Sequence, residues 1–92
     1  MIPKRRADVT SRDVNGELLI LDRRLEQVHQ LNSTACYIWL RCDGNTTVAE
    51  VVASMAHDFG LQTEDVNNDV MQIISQFRLL QLLESDLMPE DK

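Results

Sequence analysis

The chain has 92 residues, 43% of them hydrophobic and only 4% aromatic, which is enough for one small core and leaves no room for a second. Nine basic residues against fifteen acidic ones give a net charge of −6. Residues 1–24 hold six Lys/Arg and four Asp/Glu, net +2, and residues 25–92 hold three Lys/Arg and eleven Asp/Glu, net −8; so acidic a main body makes a poor general binder of phosphate backbones.

Residues 1–7 contain Pro3-Lys4-Arg5-Arg6 and nothing apolar enough to bury, so a flexible arm is expected there. There is no apolar core to this stretch, so it is not a secretory signal, and no run approaches the roughly 20 apolar residues of a membrane helix. Asp8 to Val14 reads as a short strand with Val9 as its main apolar residue. Asn15-Gly16 is a strong hairpin signal, and Glu17 to Asp22 (ELLILD) is the returning strand. Arg23-Arg24 marks a turn or an exposed edge. Leu25 to Leu31 has apolar residues at 25, 28 and 31, a spacing that does not force a strand. Its length and its place after a hairpin make it one.

Asn32 is a good N-cap, opening a helix over about 32–42 that carries Ala35, Ile38, Trp39 and Cys42. The single Trp is read as a core anchor. Asp43-Gly44-Asn45 breaks that helix. Thr47 and Glu50 have the spacing of a capping box for a second helix over about 47–59, with Val48, Val51, Val52, Met55 and Phe59 on one face. Gly60 is a stop. Thr63 is expected to cap a third helix, with Glu64 and Asp65 in its first turn. Val66, Val70, Ile73, Ile74, Phe77 and Leu80 line one side, and the helix runs to about 80. Leu82-Leu83-Glu84 is a short final strand or a frayed turn, and 85–92 is expected to be a disordered tail.

Three strands followed by three helices make an α+β chain, with a small antiparallel sheet on a helix-turn-helix-like core.

No catalytic motif is present. Cys36 and Cys42 are six residues apart on one helix, about 9 Å of rise, too far for a disulfide within it; they read as reduced thiols of a cytoplasmic protein. Cys36, Cys42, His29 and His57 lack the CxxC or HxxxH spacing of a metal site, so no metal and no cofactor is expected. The acids Asp43, Asp58, Glu64, Asp65 and Asp69 read as caps and solvated faces rather than acid/base pairs. There is no Gly-rich phosphate loop and no local triad.

The order Leu31-Asn32, Thr34-Ala35, Ile38-Trp39, Asp43-Gly44, Thr47-Val48 and Glu50-Val51 resembles the PqqD family of small peptide-binding proteins, also called RiPP recognition elements. Glu64-Asp65, Asp69-Val70 and Ile73-Ile74 continue the pattern. The family's closing Gly-Leu departs from it here, because Gln81 stands before Leu82-Leu83. The likeness spans about residues 8–84. It implies a winged-helix-like, non-catalytic module that binds the leader of a ribosomally made precursor peptide by strand addition and presents it to a modifying enzyme, a radical-SAM enzyme in pyrroloquinoline quinone synthesis. On this chain the pairing edge would be Leu25, Gln27, Val28, His29 and Gln30. The facing wall, on helix three, would be Asp69, Gln72, Ile73 and Gln76. An exposed strand edge and short turns also allow strand exchange in a homodimer.

Two other classes compete. The fold also suits a winged-helix DNA-binding regulator. Yet helix three carries Glu64, Asp65 and Asp69 against Arg78 alone, and only Lys4-Arg5-Arg6 could meet phosphates. A non-catalytic structural or oligomerisation module is the third reading.

Overall fold

The computed structural model describes residues 2–84, so the tail expected at 85–92 lies outside the described residues. Strands β1 (Thr10–Val14), β2 (Glu17–Asp22) and β3 (Gln27–Leu31) form an antiparallel sheet in the order β1-β2-β3. Helices α1 (Ser33–Leu40), α2 (Val48–Phe59) and α3 (Thr63–Leu79) follow. This is the α+β architecture expected from the sequence.

The β1–β2 connection is the two-residue Asn15-Gly16 turn. Both residues have positive φ, 56° and 84°, the type I′ geometry whose twist matches that of the flanking strands. Leu18, Ile20 and Asp22 of β2 are buried on the helix side, whereas Leu19 and Leu21 on the outer side are only half-buried. The β2–β3 register pairs Leu18 with Leu31, Ile20 with His29 and Asp22 with Gln27, so these face the helices together.

The first two helices start from local side-chain caps. Asn32 Oδ1 accepts the Ala35 N–H at 2.8 Å. Thr47 Oγ1 accepts the Glu50 N–H at 3.0 Å while Glu50 Oε1 accepts the Thr47 N–H at 2.8 Å, a complete capping box. For α3 the expectation is corrected: the cap position is Gln62, with no side-chain cap bond, and Thr63 is already helical. The first-turn acids Glu64 and Asp65 stabilise that start through the helix dipole instead. α1 ends two residues earlier than expected, because Arg41 and Cys42 donate to Ile38 and Trp39, three residues back, and tighten its last turn.

The core holds Leu18, Ile20, Leu31, Ile38, Trp39, Cys42, Val51, Val52, Met55, Val66, Val70, Ile74, Phe77 and Leu82. Trp39 and Phe77 meet edge-to-face at 5.3 Å between ring centroids. The Trp39 indole N–H reaches Ser11 Oγ at 3.1 Å, tying α1 to β1. Burial of the Cys42 thiol pushes its pKa up to about 12, as befits a core residue. Phe59 and Leu80, placed on the apolar stripes from spacing alone, are instead exposed, at 53% and 38%, at the ends of their helices.

Residues 3–6 are not a free arm. Arg5 N–H donates to Cys42 O at 2.9 Å, Gly44 N–H to Pro3 O at 3.0 Å, and Arg6 N–H to Leu82 O at 3.0 Å. The side chain of Lys4 lies so close over Gly44, whose φ is 81°, that a Cβ there would meet Lys4 Cδ at 2.9 Å. Arg6 is 8% exposed and makes bidentate contacts with both Asp8 and buried Asp22, and it donates to Gln81 O at 2.9 Å. The stretch looks unburiable in the sequence because its partners, Asp22 and the Gln81 carbonyl, are far away along the chain. Nor do residues 82–84 fray: Leu82 is fully buried and Leu83 pairs with Arg5.

Candidate functional site

The β1–β2 turn fixes which backbone groups of β3 are free. A type I′ turn closes on a hydrogen bond from the Glu17 N–H to the Val14 carbonyl, so Glu17, Leu19 and Leu21 point their backbone groups at β1. Antiparallel strands alternate, so Leu18, Ile20 and Asp22 point theirs at β3. Their partners Leu31, His29 and Gln27 bond inward to β2. Val28 and Gln30 are left with both N–H and C=O aimed at the outer edge, where no other described strand pairs.

Side chains on β3 alternate in the same way. Val28 is 64% exposed on the outer face of the sheet, and Gln30 beside it hydrogen-bonds Glu17. Gln27 and His29 belong to the helix-side face. The His29 ring is half-buried, and its Nε2 is a buried nitrogen without a hydrogen-bond partner among the described residues. Leu25, read from sequence as part of the strand, lies in the turn that precedes it. Asp22 Oδ1 accepts its N–H at 3.2 Å, and Glu26 turns left-handed at φ 55° before the strand starts at Gln27.

On α3, Asp69, Gln72 and Gln76 are exposed and Ile73 is half-buried. At 100° per residue these four lie on one flank of the helix, with Ile73 next to the buried stripe of Val66, Val70, Ile74 and Phe77. Leu79, 82% exposed, extends the same flank and was not singled out from the sequence. Its place within the run Leu79-Leu80-Gln81-Leu82-Leu83 hid it, because such a run reads as a helix end and not as a surface. α3 packs chiefly on α2 and also on α1, and β3 packs on β2 and α1.

The electrostatics are structural. Hydrogen bonds from Arg6 hold the Asp8 and Asp22 carboxyls below the usual carboxylate range. The Asn45 backbone N–H, helped by Thr46, does the same for Asp43 in the turn after α1. The Tyr37 hydroxyl donates to Asp58 at 2.7 Å and lowers its pKa, with His57 contributing next. Arg41 stacks over the Tyr37 ring at 3.5 Å. None of these groups joins a nucleophile, and among the described residues no three His, Cys, Asp or Glu are grouped to hold a metal. No described helix is long and apolar enough to cross a membrane. The cations read as the only phosphate contacts are engaged: Lys4 with Glu84 at 3.7 Å, Arg5 with the Trp39 carbonyl at 2.7 Å, and Arg6 with the two aspartates.

The fold has close counterparts. TbiB1 in complex with the TbiA(beta) leader peptide superposes with a TM-score of 0.82 at 18% identity, covering 92% of this chain and 99% of that one. Lasso peptide synthetase B1 complexed with a leader peptide gives 0.81 at 18% identity, covering 97% and 100%. The PqqD truncation of Methylobacterium extorquens PqqCD, a stand-alone RiPP recognition element solved by NMR, gives 0.75 at 15% identity, covering 89% and 87%. At these identities the likeness is one of fold. No curated protein matches the chain. The family model for coenzyme PQQ synthesis protein D (PqqD) matches residues 17–83, from the first residue of β2 to the segment pinned by Arg5, and the chain belongs to that family.

Proposed function

We propose that this protein is a recognition module that binds the leader segment of a ribosomally synthesised precursor peptide and presents it to a modifying enzyme. The observation that carries the reading is the edge of β3. Val28 and Gln30 each offer an N–H and a C=O, and an extended peptide satisfies such groups by adding as a fourth strand. Two structures of the same fold hold leader peptides, which supports this use of the fold. Backbone pairing supplies affinity. The side chains of Gln27, Val28, His29 and Gln30, with Leu25 at the turn, and of Asp69, Gln72, Ile73 and Gln76 on α3, supply selectivity.

The role is recognition and not catalysis, and the enzyme served is a radical-SAM or other peptide-modifying enzyme. The setting is the cytoplasm, where both thiols stay reduced. Titration of the labelled chain with the leader of a precursor encoded beside its gene tests the reading. Amide shifts are expected at Val28 and Gln30 and along the Asp69–Gln76 flank of α3. Shifts confined to other surfaces, or absent, would sink it.

A further inference from the structure

We infer that the bound peptide is also read on the outer face of the sheet, where a concavity at the β2–β3 turn takes one of its apolar side chains. The inference rests on the strand-addition reading above. The helices share a core with Leu18, Ile20 and Leu31 on the other face, where α1 packs on β2 and β3, and among the described residues no second layer covers the outer face. There the register sets Thr10, Leu21 and Val28 in one row and Arg12, Leu19 and Gln30 in the next. The first row ends at the free edge in an apolar side chain that is 64% exposed, which is a liability for an edge strand unless something covers it. Beside it lies an open concavity of about 370 Å³, bounded by Leu21 and Val28 and rimmed by Asp22, Arg23, Glu26 and Gln27.

The backbone phase decides what reaches it. Val28 points its N–H and C=O outward, so a residue of an added strand stands directly opposite it, at about 5.5 Å between Cα atoms if the strand is antiparallel. Facing residues share a face, so that residue's side chain emerges next to Val28 on the outer surface, at the concavity. The ligand class is therefore an extended peptide with a branched aliphatic or aromatic residue opposite Val28. Two residues along, the side chain opposite Gln30 meets a polar neighbour, because Gln30 itself stands at the edge of that row and bonds Glu17, with Leu19 behind it. A polar side chain belongs there.

The test is selection of a displayed library of random twelve-residue peptides on the full chain, and on the Val28→Lys chain. Val28 is exposed, so the variant keeps its fold, which unchanged emission of the buried Trp39 verifies. Wild-type selection is expected to enrich one apolar position, and replacing it by Asp should weaken binding at least tenfold. Val28→Lys should lose that preference and bind the Asp peptide better than the parent. In the wild-type complex, NOEs should join the peptide's apolar side chain to the Val28 methyls. An apolar position that Val28→Lys leaves unchanged, with NOEs to Ile73 instead, overturns this pocket and leaves peptide binding standing. If no peptide is enriched and no β3 amide shifts, the strand-addition reading falls too.

Discussion

Proline can separate the two kinds of backbone group on β3. It removes an N–H, and on this strand the loss is felt by different partners at even and odd positions. At Val28 or Gln30 the lost N–H points at the free edge, so no bond to β2 breaks and the fold tolerates the change. Extended backbone at Gln27 and His29 already suits a residue before proline. A peptide strand loses one hydrogen bond, net about 0.5–1.5 kcal/mol, or roughly two- to twelve-fold in Kd for each substitution. The double variant Val28→Pro/Gln30→Pro should lose roughly 5- to 150-fold if the two effects add. His29→Pro does the opposite. It removes a bond to Ile20 and leaves that buried carbonyl unpaired, at about 1–3 kcal/mol, which for a chain this size lowers Tm by roughly 4–24 °C. Thermal melts by circular dichroism and anisotropy of a labelled leader peptide measure both. The reasoning is refuted if Val28→Pro melts early while His29→Pro does not. It is equally refuted if the double variant folds and binds the leader like the parent.

Three further outcomes are expected. Gln81 adopts a left-handed φ of 59° where α3 ends; relieving about 1–2 kcal/mol of strain against about 0.5–1 kcal/mol of added chain entropy, Gln81→Gly should stabilise by about 0.5–1 kcal/mol, seen as a higher denaturant midpoint. Iodoacetamide at pH 8 should label half-buried Cys36 first and reach Cys42, buried and raised to about 12, only in denaturant, as peptide mass spectrometry would reveal. Arg6 holds Asp8 and Asp22 below the usual carboxylate range, so the stability they contribute is full above about pH 4 and is lost as pH falls through their depressed values. In Arg6→Leu the buried Asp22 carboxyl favours its neutral form, so the variant's denaturant midpoint should rise from pH 7 to pH 4, a range over which the pair's contribution to the parent stays full; parallel curves would count against the pair.

Local signals were legible in the sequence and distant ones were not. Asn15-Gly16, Asn32, the Thr47–Glu50 box and Gly60 each act within a few residues, and each sits where its chemistry requires. β3 was harder. Its spacing of three at Leu25, Val28 and Leu31 mixes three environments: Leu25 is in the turn, Val28 faces outward, and Leu31 faces the core. Only the phase set by the preceding hairpin sorts them. The N-terminal segment misled because burial of an arginine depends on an aspartate 16 residues on and a carbonyl 75 residues on. For the candidate site, the sequence named the residues of the edge but not which of them have free backbone groups. It gave no sign of the concavity beside Leu21 and Val28.

The segment misread as an arm bears on the site itself. Asp22 is the last residue of β2, and its carboxylate accepts from Arg6 on one side and from the Leu25 N–H on the other. It therefore shapes the turn from which β3 departs. The same guanidinium bonds the Gln81 carbonyl, just past the end of α3. One buried cation thus links the strand end that leads into the candidate edge with the helix end that closes the candidate wall. α1 lies against both β3 and α3, and the Arg5 side chain reaches the Trp39 carbonyl near its C-terminal end. Arg6, which is none of the candidate contact residues, helps to hold both the candidate edge and the candidate wall in place. Substitution at Arg6 should disturb peptide binding through the spacing of these two elements, and should do so even under conditions where the chain stays folded.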